Sequence, residues 1–553
     1  MRLLFFAAAL ATGTALVSGA LAALLIRLSR RFHLNARPRA DRWHHHSTPN
    51  TGGMAILGGC AIVYAAGAWG RSPVIAMAAA GMALLGFLDD RVELTPLVKL
   101  SGQCVAIMAV LSHGVVLRAT ASEAANLALT FLWIAGITNA FNLIDNVDGL
   151  CSGVTVIICA FRFWSALEHG DTEGALLLAI LAGGFLGFLF FNYKPAKIFL
   201  GDGGSLFAGF TLSTLAIAAP VPQTRVFLSA IFCPALTFLY PIFDTVLVST
   251  LRRAAGRPIS VGGRDHSSHR LASLGLSEQK VVWLLWALTA AGSAAGLLTY
   301  AMPLEALAAG AILAVGVTVF GVFLGTLPSF ALPQTAPAQA TSIRRLIPTL
   351  RAGIILIVEA LLAGVALLAA FLVRWDGSLL GPPLRQFLLS LPAVMGCQAL
   401  SCLGFRTFNL GWRWFGARDL LTLGESSVLG AALAMLAVAA SGVRSYSGVV
   451  ILLYVFLLFC FGVGLRVSMS LLWQTLAPAP AGRRAAVLGA DPSGELLVTV
   501  LQRHSGMDAC PVLILDTDWA SDHTRIDGIP VRYAGRNLAG ILRQYKVEIL
   551  MLS

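Results

Sequence analysis

The chain has 553 residues, of which 57% are hydrophobic and only 12% are charged, and its mean hydropathy is +0.80. This composition excludes an ordinary soluble domain and indicates a membrane protein with many apolar helices. The formal net charge of +12 falls mainly in short connections, where it indicates membrane orientation and affinity for anionic lipid or phosphate. It gives no support to a nucleic-acid partner. The nine scattered cysteines form no CxxC pair and predict neither disulfides nor a metal site.

Apolar runs long enough to cross a bilayer as helices recur through the first part of the chain. The first run is too long for a signal-peptide core and has its basic residues after it, so it predicts a retained membrane helix. The basic connection 27–42 should be cytoplasmic, which places the N-terminus outside. We predict about eleven spans, at 3–26, 53–70, 72–88, 97–117, 126–143, 150–167, 174–192, 205–219, 224–250, 281–300 and 303–326.

Alternation of these spans places four polar clusters on the cytoplasmic side of the membrane. The opposite connections contain few basic residues, as this orientation requires. Acids, amides and glycines gathered on one side favour a single functional site over four solvated loops, because ionisable groups at membrane depth are usually functional. The clusters are LDDRVELTPLVK, NLIDNVDGL, NYKPAKIFLGDGGS and LRRAAGRPISVGGRDHSSHR.

The second half of the chain restarts after a Pro-, Ala- and Gln-rich linker. Four further spans are predicted at 352–373, 384–403, 423–441 and 447–472, and the polar tail that follows should be cytoplasmic. Its pattern of strand, helix, strand, extended piece, helix and strand predicts an α/β unit. The fold class is therefore an all-α polytopic membrane protein with a small Rossmann-like C-terminal domain. The predicted divisions are 1–326, a linker at 327–350, a four-helix membrane region at 351–480, and 481–553.

Paired acids and a glycine-flanked acid indicate chemistry on phosphate with a hard metal ion. Asp89 and Asp90 are adjacent, so at least one must be held by a cation, a metal or a proton. Asp202 lies among glycines that let phosphate or metal approach the backbone. Such oxygen donors suit Mg²⁺, which completes its shell with water and substrate phosphates. Mn²⁺ is a second candidate.

The stretch NAFNLIDNVDGL carries Asn139, Asn142, Asp145 and Asp148 at steps of three. Residues three apart are helical neighbours, but the set drifts about half a turn and cannot line one straight face. Gly149 indicates that the helix ends after Asp148, so the last acid points in a different direction from the first amide.

Histidines in two basic loops are the remaining candidates. His266, His269 and Arg270 offer donors that can bind a diphosphate and offset charge as a leaving group departs. A zinc interpretation is weak, because no third ligand at zinc spacing accompanies them. The run 44–46 is also three histidines, but a basic loop that leads into TPNTGG favours phosphate over metal.

The motifs DDRVEL, NAFNLIDNVDGL, FLGDGGS and GRDHSSHRL occur in an order that resembles the polyprenyl-phosphate N-acetylhexosamine-1-phosphate transferases. The resemblance covers about residues 1–325 and is to the WecA/TagO/WbpL branch of the superfamily that includes MraY. It implies transfer of HexNAc-1-phosphate from a UDP-sugar to undecaprenyl phosphate in the bacterial inner membrane, with Mg²⁺ and release of UMP. The loop lacks the run of consecutive histidines typical of MraY, which disfavours a muramyl-pentapeptide substrate.

The resemblance also implies roles for individual residues. Asn142 and Asp202 would hold the metal, and Asp148 and Phe199 would face the uracil. The remaining implied substrate-binding residues are Lys99, Asn139, His266, His269 and Arg270. The implied catalytic residues are Asp89, Asp90 and Asp145. Asp89 and Asp90 would activate the lipid phosphate, whereas Asp145 is a nucleophile only if a covalent intermediate forms, and direct attack by the lipid phosphate is preferred. Asn50 departs from the family, which often has Arg or Lys at this position.

The second half resembles another family. FRTFNLGWRWFGARDLLTLG is similar to the membrane region of CapD-like polysaccharide-biosynthesis proteins, which also precedes a Rossmann-like segment. In this tail, Asp491 replaces the middle glycine of a GxGxxG motif, where its carboxylate would repel a pyrophosphate. There is no firm indication of NAD. The tail is interpreted as a docking or regulatory domain, with residual nucleotide binding as the alternative.

Two other functions fit parts of the pattern. A lipid-linked sugar transporter also needs many helices and buried charge, but its site should lie near the bilayer midplane. A scaffold that recruits downstream glycosyltransferases would not require Asp202 or the histidine loop. Expected partners are undecaprenyl phosphate, a UDP-N-acetylhexosamine and membrane lipids, with downstream glycosyltransferases and a homodimer as further options.

Overall fold

The structure is a computed structural model that divides into two units, Met1–Trp473 and Gln474–Ser553. It describes residues 1–32, 48–67, 73–92, 94–120, 122–218, 233–254, 263, 265–301, 303–326, 340–375, 381–410, 417–440, 447–476, 483–503, 509–516, 525–526, 529–535 and 538–552.

The first unit is helical throughout its described residues. Ten of its helices are long and apolar enough to cross a membrane, so the chain is a multi-pass membrane protein. The helices are α1 (Arg2–Phe32), α2 (Gly52–Gly67), α3 (Pro73–Val92), α4 (Pro96–Ser112), α5 (Glu123–Ile144), α6 (Leu150–Glu168), α7 (Thr172–Asn192), α8 (Gly201–Ala218), α9 (Cys233–Thr237), α10 (Leu239–Ala254), α11 (Ser267–Ser273), α12 (Glu278–Ala301), α13 (Pro303–Thr326), α14 (Ala340–Arg374), α15 (Pro382–Gly404), α16 (Ala417–Ala440) and α17 (Gly448–Leu476).

Several predicted boundaries differ from the structure, among them the start of α14 at Ala340, inside the predicted linker 327–350. Helix α5 ends at Ile144, so the predicted helix end at Gly149 is wrong, and a five-residue turn separates α5 from α6. Helix α8 begins at Gly201 rather than at 205, which places Asp202 in its first turn. The predicted span 224–250 falls on α9 and α10, which are separate helices, and its first nine residues lie outside the described residues.

Helix α8 is the centre of the first bundle. Almost every side chain along it is buried, because α2, α3 and α5 surround it. The approach of α3 is close enough that a Cβ atom at Gly86 would lie 2.3 Å from the Asp202 carbonyl oxygen. This backbone contact brings the C-terminal end of α3, with its two acids, beside the N-terminal end of α8.

Helices α1 and α7 pack through glycines, so Gly187→Ala should destabilise the membrane unit. A Cβ at Gly187 would lie 2.1 Å from the Ala15 carbonyl oxygen, which forces the two backbones apart. We expect a loss of about 1–3 kcal/mol in the free energy of unfolding, measured by thermal unfolding in detergent. Gly13→Ala on α1 is the matched control, because a Cβ there would meet nothing within 4 Å. Equal unfolding temperatures for the two variants would contradict this packing.

Helices α14 to α17 form a second apolar core that contains one deeply buried ion pair. Arg466 of α17 pairs with Glu359 of α14, and their side chains are only 0% and 3% exposed. Arg466 Nη1 also donates to the Gly462 carbonyl at 3.3 Å. Since hydrocarbon cannot solvate either charge, this pair links two helices at membrane depth.

The second unit is a five-stranded sheet with two helices. The structure confirms the strands and helices predicted from the tail pattern and adds a short strand, β3. The elements are β1 (Arg483–Leu488), α18 (Pro492–Arg503), β2 (Ala509–Asp516), β3 (Arg525–Ile526), β4 (Ile529–Tyr533), α19 (Leu538–Gln544) and β5 (Ile549–Leu552). The strand order is β3-β4-β2-β1-β5, and every pairing is parallel except β3 with β4.

Candidate active site

Four helix ends meet at one end of the first bundle around the amino group of Lys99. Lys99 Nζ lies 2.9 Å from Asp89 Oδ2, donates to Asn142 Oδ1 at 3.1 Å and forms an ion pair with Asp202. Asn142 Nδ2 in turn donates to Ser205 Oγ at 3.1 Å. The structure therefore brings together four residues predicted for the site, one from each of α3, α4, α5 and α8. We call Asp89, Lys99, Asn142 and Asp202 the Lys99 cluster. Their catalytic and metal-binding roles stay predictions.

Asp90 faces a different set of partners from its neighbour Asp89. Its Oδ1 accepts from Asn50 Nδ2 at 2.6 Å, and its Oδ2 accepts from the Gly203 backbone N–H at 3.4 Å. The adjacent acids thus have different partners, since Asp89 pairs with a cation and Asp90 accepts from neutral donors. Asn50, at the position where the family often has a basic residue, ties the loop before α2 to Asp90.

Asn139 lies one turn deeper than Asn142 and pairs with Gln103 of α4. The two amides exchange hydrogen bonds of 3.2 and 2.8 Å. Because Lys99 is one turn before Gln103 on α4, this pair also fixes the height of Lys99 relative to Asn142. The structure thus gives Asn139 a helix-pairing contact, and its predicted role in substrate binding stays a prediction.

The turn between α5 and α6, residues 145–149, contains Asp145 and Asp148. Asp148 is 6% exposed, and its Oδ2 accepts from the Ala196 N–H at 3.0 Å. This bond holds the α7–α8 connection, residues 193–200, which contains Phe199. Asn192 supports the same connection, since its Oδ1 accepts from the Gly149 N–H and its Nδ2 donates to the Ile198 carbonyl.

Phe199 is half-buried and joins this connection to the loop before α2. Its N–H donates to the Pro49 carbonyl at 2.9 Å, and its own carbonyl accepts from the Gly52 N–H at 3.0 Å. Phe199 therefore lies in a connection that is bonded to the loop before α2 and, through Ala196, to Asp148. The predicted role of Asp148 and Phe199 in uracil binding stays a prediction.

Helix α11 carries the histidine motif and is anchored to α10 by two buried acids. Asp244 accepts from His266 Nδ1 and from the Ser267 N–H, both at 2.8 Å. Arg252 binds Asp265 through two hydrogen bonds of 2.8 and 2.7 Å. His266 and His269 are both buried, and their ring centres lie 6.2 Å apart. The helix and its preceding residues are thus held in one orientation.

Arg270 turns away from the histidines to backbone acceptors. Its Nε donates to the Asp265 carbonyl and its Nη1 to the Leu324 carbonyl, both at 3.0 Å. Burial lowers its pKa below the usual value, although the charges of Asp265 and Asp244 oppose that shift. These contacts attach α11 to α13, and the predicted role of Arg270 in diphosphate binding stays a prediction.

The Asp265–Arg252 pair should make stability depend on pH only in the acid range. Burial opposes ionisation of Asp265, but hydrogen bonds and charge from Arg252 hold its pKa below the usual range. A lowered folded-state pKa stabilises above the unfolded value of about 4, and this contribution is lost as pH falls through the folded pKa. We expect Asp265→Asn to lower the free energy of unfolding by about 3 kcal/mol at pH 7. Thermal unfolding across pH should show this difference shrinking below about pH 4, and a constant difference would contradict the assignment.

Several of these contacts were missed from sequence. Asp244 lies inside the apolar run PIFDTVLV, where an acid at membrane depth was a signal that could have identified it. Gln103 and Ser205 gave no comparable signal, because single polar residues in apolar helices are common. Histidines 44–46 lie outside the described residues.

The Lys99 cluster has the donor chemistry that a divalent ion would use. Oxygens of Asp89, Asn142 and Asp202 converge on one cationic centre, and hard oxygen donors of this kind suit Mg²⁺. In the described part of the chain, no three His, Cys, Asp or Glu side chains form a ready metal-binding group. A metal here would therefore depend on the Asn142 amide and on substrate phosphates. Mg²⁺ commonly takes few protein ligands and completes its coordination with substrate phosphates.

Acids and a lysine at the helix ends of a multi-pass bundle, beside a histidine-bearing helix, define a membrane protein suited to phosphoryl chemistry. Comparison with known proteins agrees. The model of Glycosyl transferase family 4 matches residues 72–219, which include α3 to α8. The chain belongs to the family of polyprenyl-phosphate N-acetylglucosamine-1-phosphate transferases and their MraY relatives.

Three relatives illustrate the match. A probable undecaprenyl-phosphate N-acetylglucosaminyl 1-phosphate transferase of Bacillus subtilis is 35% identical over 262 residues, or 45% of this chain and 73% of the relative. A decaprenyl-phosphate N-acetylglucosaminephosphotransferase of Mycobacterium tuberculosis is 30% identical over 336 residues, or 52% and 82%. A phospho-N-acetylmuramoyl-pentapeptide-transferase of Heliobacterium modesticaldum is 30% identical over 302 residues, or 50% and 91%.

Proposed function

We propose that this protein transfers N-acetylhexosamine-1-phosphate from a UDP-sugar to undecaprenyl phosphate, which starts synthesis of a cell-surface glycan. The observation that carries the proposal is the convergence of Asp89, Asn142 and Asp202 on Lys99 at the helix ends. A soluble nucleotide and a lipid phosphate can meet at such a position. A transporter would instead need its charged groups near the bilayer midplane.

In the proposed reaction, an oxygen of the lipid phosphate attacks the β-phosphorus of the UDP-sugar. The bond between that phosphorus and the bridging oxygen breaks, and UMP leaves. Asp89 orients the incoming phosphate, and Lys99 offsets its charge. Asn142 and Asp202 would hold Mg²⁺, which when bound neutralises charge on the diphosphate. The chain thus acts mainly by positioning and by electrostatic stabilisation, as phosphoryl transfer generally requires.

The uracil and the diphosphate of the UDP-sugar would be bound by different groups of the chain. Asp148 and Phe199 would receive the uracil, because Asn192 and the Asp148–Ala196 hydrogen bond tie the two segments that carry them together. His266 and His269 would approach the diphosphate from α11. Direct attack leaves Asp145, the C-cap residue of α5, without a covalent role.

The proposed location is the bacterial inner membrane, with the site on the cytoplasmic face. Basic residues 27–42 support this orientation, and they place the N-terminus outside. The proposed total of about fifteen crossings adds shorter apolar helices to the ten long ones. The loop at 263–271 lacks a run of histidines, which favours a simple UDP-HexNAc over a muramyl-pentapeptide donor.

The test of function is UMP release by the purified protein in lipid nanodiscs. The reaction contains undecaprenyl phosphate, a panel of UDP-N-acetylhexosamines, and Mg²⁺ or Mn²⁺, with EDTA as the control. Metal-dependent release with one donor, together with a lipid-linked sugar product, would support the proposal and identify the sugar. No release with any donor would overturn it and favour a scaffold.

The tail is proposed to be a Rossmann-like docking domain without catalysis. The four parallel strands lie in the order β4-β2-β1-β5. When only these strands are numbered along the chain, the order is 3-2-1-4, which matches the first four strands of the dinucleotide-binding order 3-2-1-4-5-6. However, Asp491 Oδ1 accepts from the Gly494 N–H at 2.9 Å and so caps the start of α18, where a pyrophosphate would otherwise bind. The proposed partners of this domain are downstream glycosyltransferases or a second copy of the chain.

Removal of residues 482–553 should therefore leave UMP release within about 2-fold of the full chain, because every residue proposed for the site lies in the membrane unit. The measurement is the same release assay on equal amounts of inserted protein. A complete loss of activity in a truncated protein that remains inserted and monodisperse would contradict the proposed independence of the tail.

A further inference from the structure

Helix α11 meets the acid-bearing turn between α5 and α6 through one neutral contact. Ser268 Oγ donates to Asn146 Oδ1 at 2.7 Å, and the two residues are 122 positions apart in the chain. Ser268 is 1% exposed. Helix α11 otherwise packs on α10, α12 and α13. The contact therefore reaches from the histidine-bearing helix to the segment that carries Asp145 and Asp148.

The Asn146 amide is held in a defined orientation. Its Nδ2 donates to the Leu143 carbonyl at 3.0 Å, which satisfies an acceptor left over at the C-terminal end of α5. A carbonyl can only accept, so the amide nitrogen must face Leu143 and the amide oxygen must face Ser268. The side chain thus joins two functions: it caps α5 and offers one fixed acceptor to α11.

The neutral character of this contact matters because charged groups surround it. On one side, Asp244 and Arg252 already anchor α11 through His266 and Asp265. On the other side, the turn has acids on both sides of Asn146. A contact between a hydroxyl and an amide adds no charge to either group, so it can set their separation without competing for phosphate or metal.

We infer that Asn146 and Ser268 are positioning residues that set the distance between the histidine helix α11 and the acidic turn 145–148. The inference rests on the proposed function and concerns its donor diphosphate, which must touch both elements in one transition state. Displacement of about 1 Å between such elements can cost about 100-fold in rate. Neither residue is assigned contact with substrate.

The test is a double-mutant cycle on UMP release in nanodiscs, with Asn146→Ala, Ser268→Ala and the double variant. We expect each single variant to lower kcat/KM for the UDP-sugar by about 10-fold or more. The kcat/KM of the double variant should be no lower than that of the less active single variant, because each single substitution already removes the one contact that the two residues share. The KM for undecaprenyl phosphate should change by less than about 2-fold.

Two further variants separate positioning from general structural damage. Ser268→Thr keeps the hydroxyl and should restore most of the activity. Ser273→Ala is the matched control on the same helix, because its hydroxyl donates only to the Arg270 carbonyl of α11 among the contacts described for it. Additive losses, unchanged activity in all variants, or no rescue by threonine would overturn the inference. Failure of the proposed function would differ, because the unmodified protein would then release no UMP.

Discussion

Asp202→Asn should lower UMP release by at least about 1,000-fold while the protein stays folded and inserted. The substitution keeps the size of the side chain but removes the charge that pairs with Lys99 in the first turn of α8. A fixed charge at the reacting centre is typically worth about 100- to 1,000-fold in kcat, and loss of metal affinity would add to this. The measurement is initial UMP release at saturating UDP-sugar and Mg²⁺.

Asp171→Asn provides the matched control for this substitution. Asp171 is also buried and also lies at a helix start, where its Oδ1 accepts from the Gly174 N–H at 3.0 Å. It is at the opposite end of α7 from the site, and asparagine caps helices nearly as well as aspartate. The Asp171→Asn variant should release UMP at the same rate as the unmodified protein. Near-normal turnover in Asp202→Asn would remove the Lys99 cluster from the mechanism.

The second large effect is expected in the other membrane region, where Glu359→Met should cost about 3–5 kcal/mol of unfolding free energy. The substitution leaves the fully buried Arg466 without its carboxylate partner. Unfolding in detergent, followed by thermal scans, measures the loss. Glu359→Met combined with Arg466→Met should recover most of it, because two apolar side chains replace the pair.

Arg374→Met is the control, since Arg374 is exposed at the end of α14 and its guanidinium lies 5.5 Å from the Trp375 ring centre. It should change the unfolding free energy by less than about 1 kcal/mol. If the double variant is as unstable as the single one, the pair is not the source of the loss.

The helices and the tail were predictable because their signals are local. A run of apolar residues identifies a span wherever it packs, and strands such as β2 show their pattern within eight residues. The start of α8 was placed too late, because glycines and an acid at 201–205 imitate a loop. In the structure the three glycines are buried, so packing against α3 overrides the weak helical propensity of glycine.

The acids of the site were also visible in the sequence, whereas their partners were not. Asp89 and Asp202 stand out because charge is costly in an apolar chain. The division of contacts between Asp89 and Asp90 depends on Asn50 and Gly203, which are distant in sequence. Likewise, the pairing of Asn139 with Gln103 depends on how α4 and α5 are aligned. Such contacts follow from tertiary packing and leave no pattern along the chain.

The cap of α18 has a consequence for how the tail meets small molecules. The Asp491 carboxylate is covalently attached one residue before the helix, so its effective concentration at the Gly494 N–H is that of an intramolecular ligand. Soluble anions would have to outcompete a group that never diffuses away and that also repels them by charge. The proposed docking role of the tail therefore predicts that the tail does not respond to the cellular pool of nucleotides, so that any change of the full chain's activity with that pool would arise in the membrane unit.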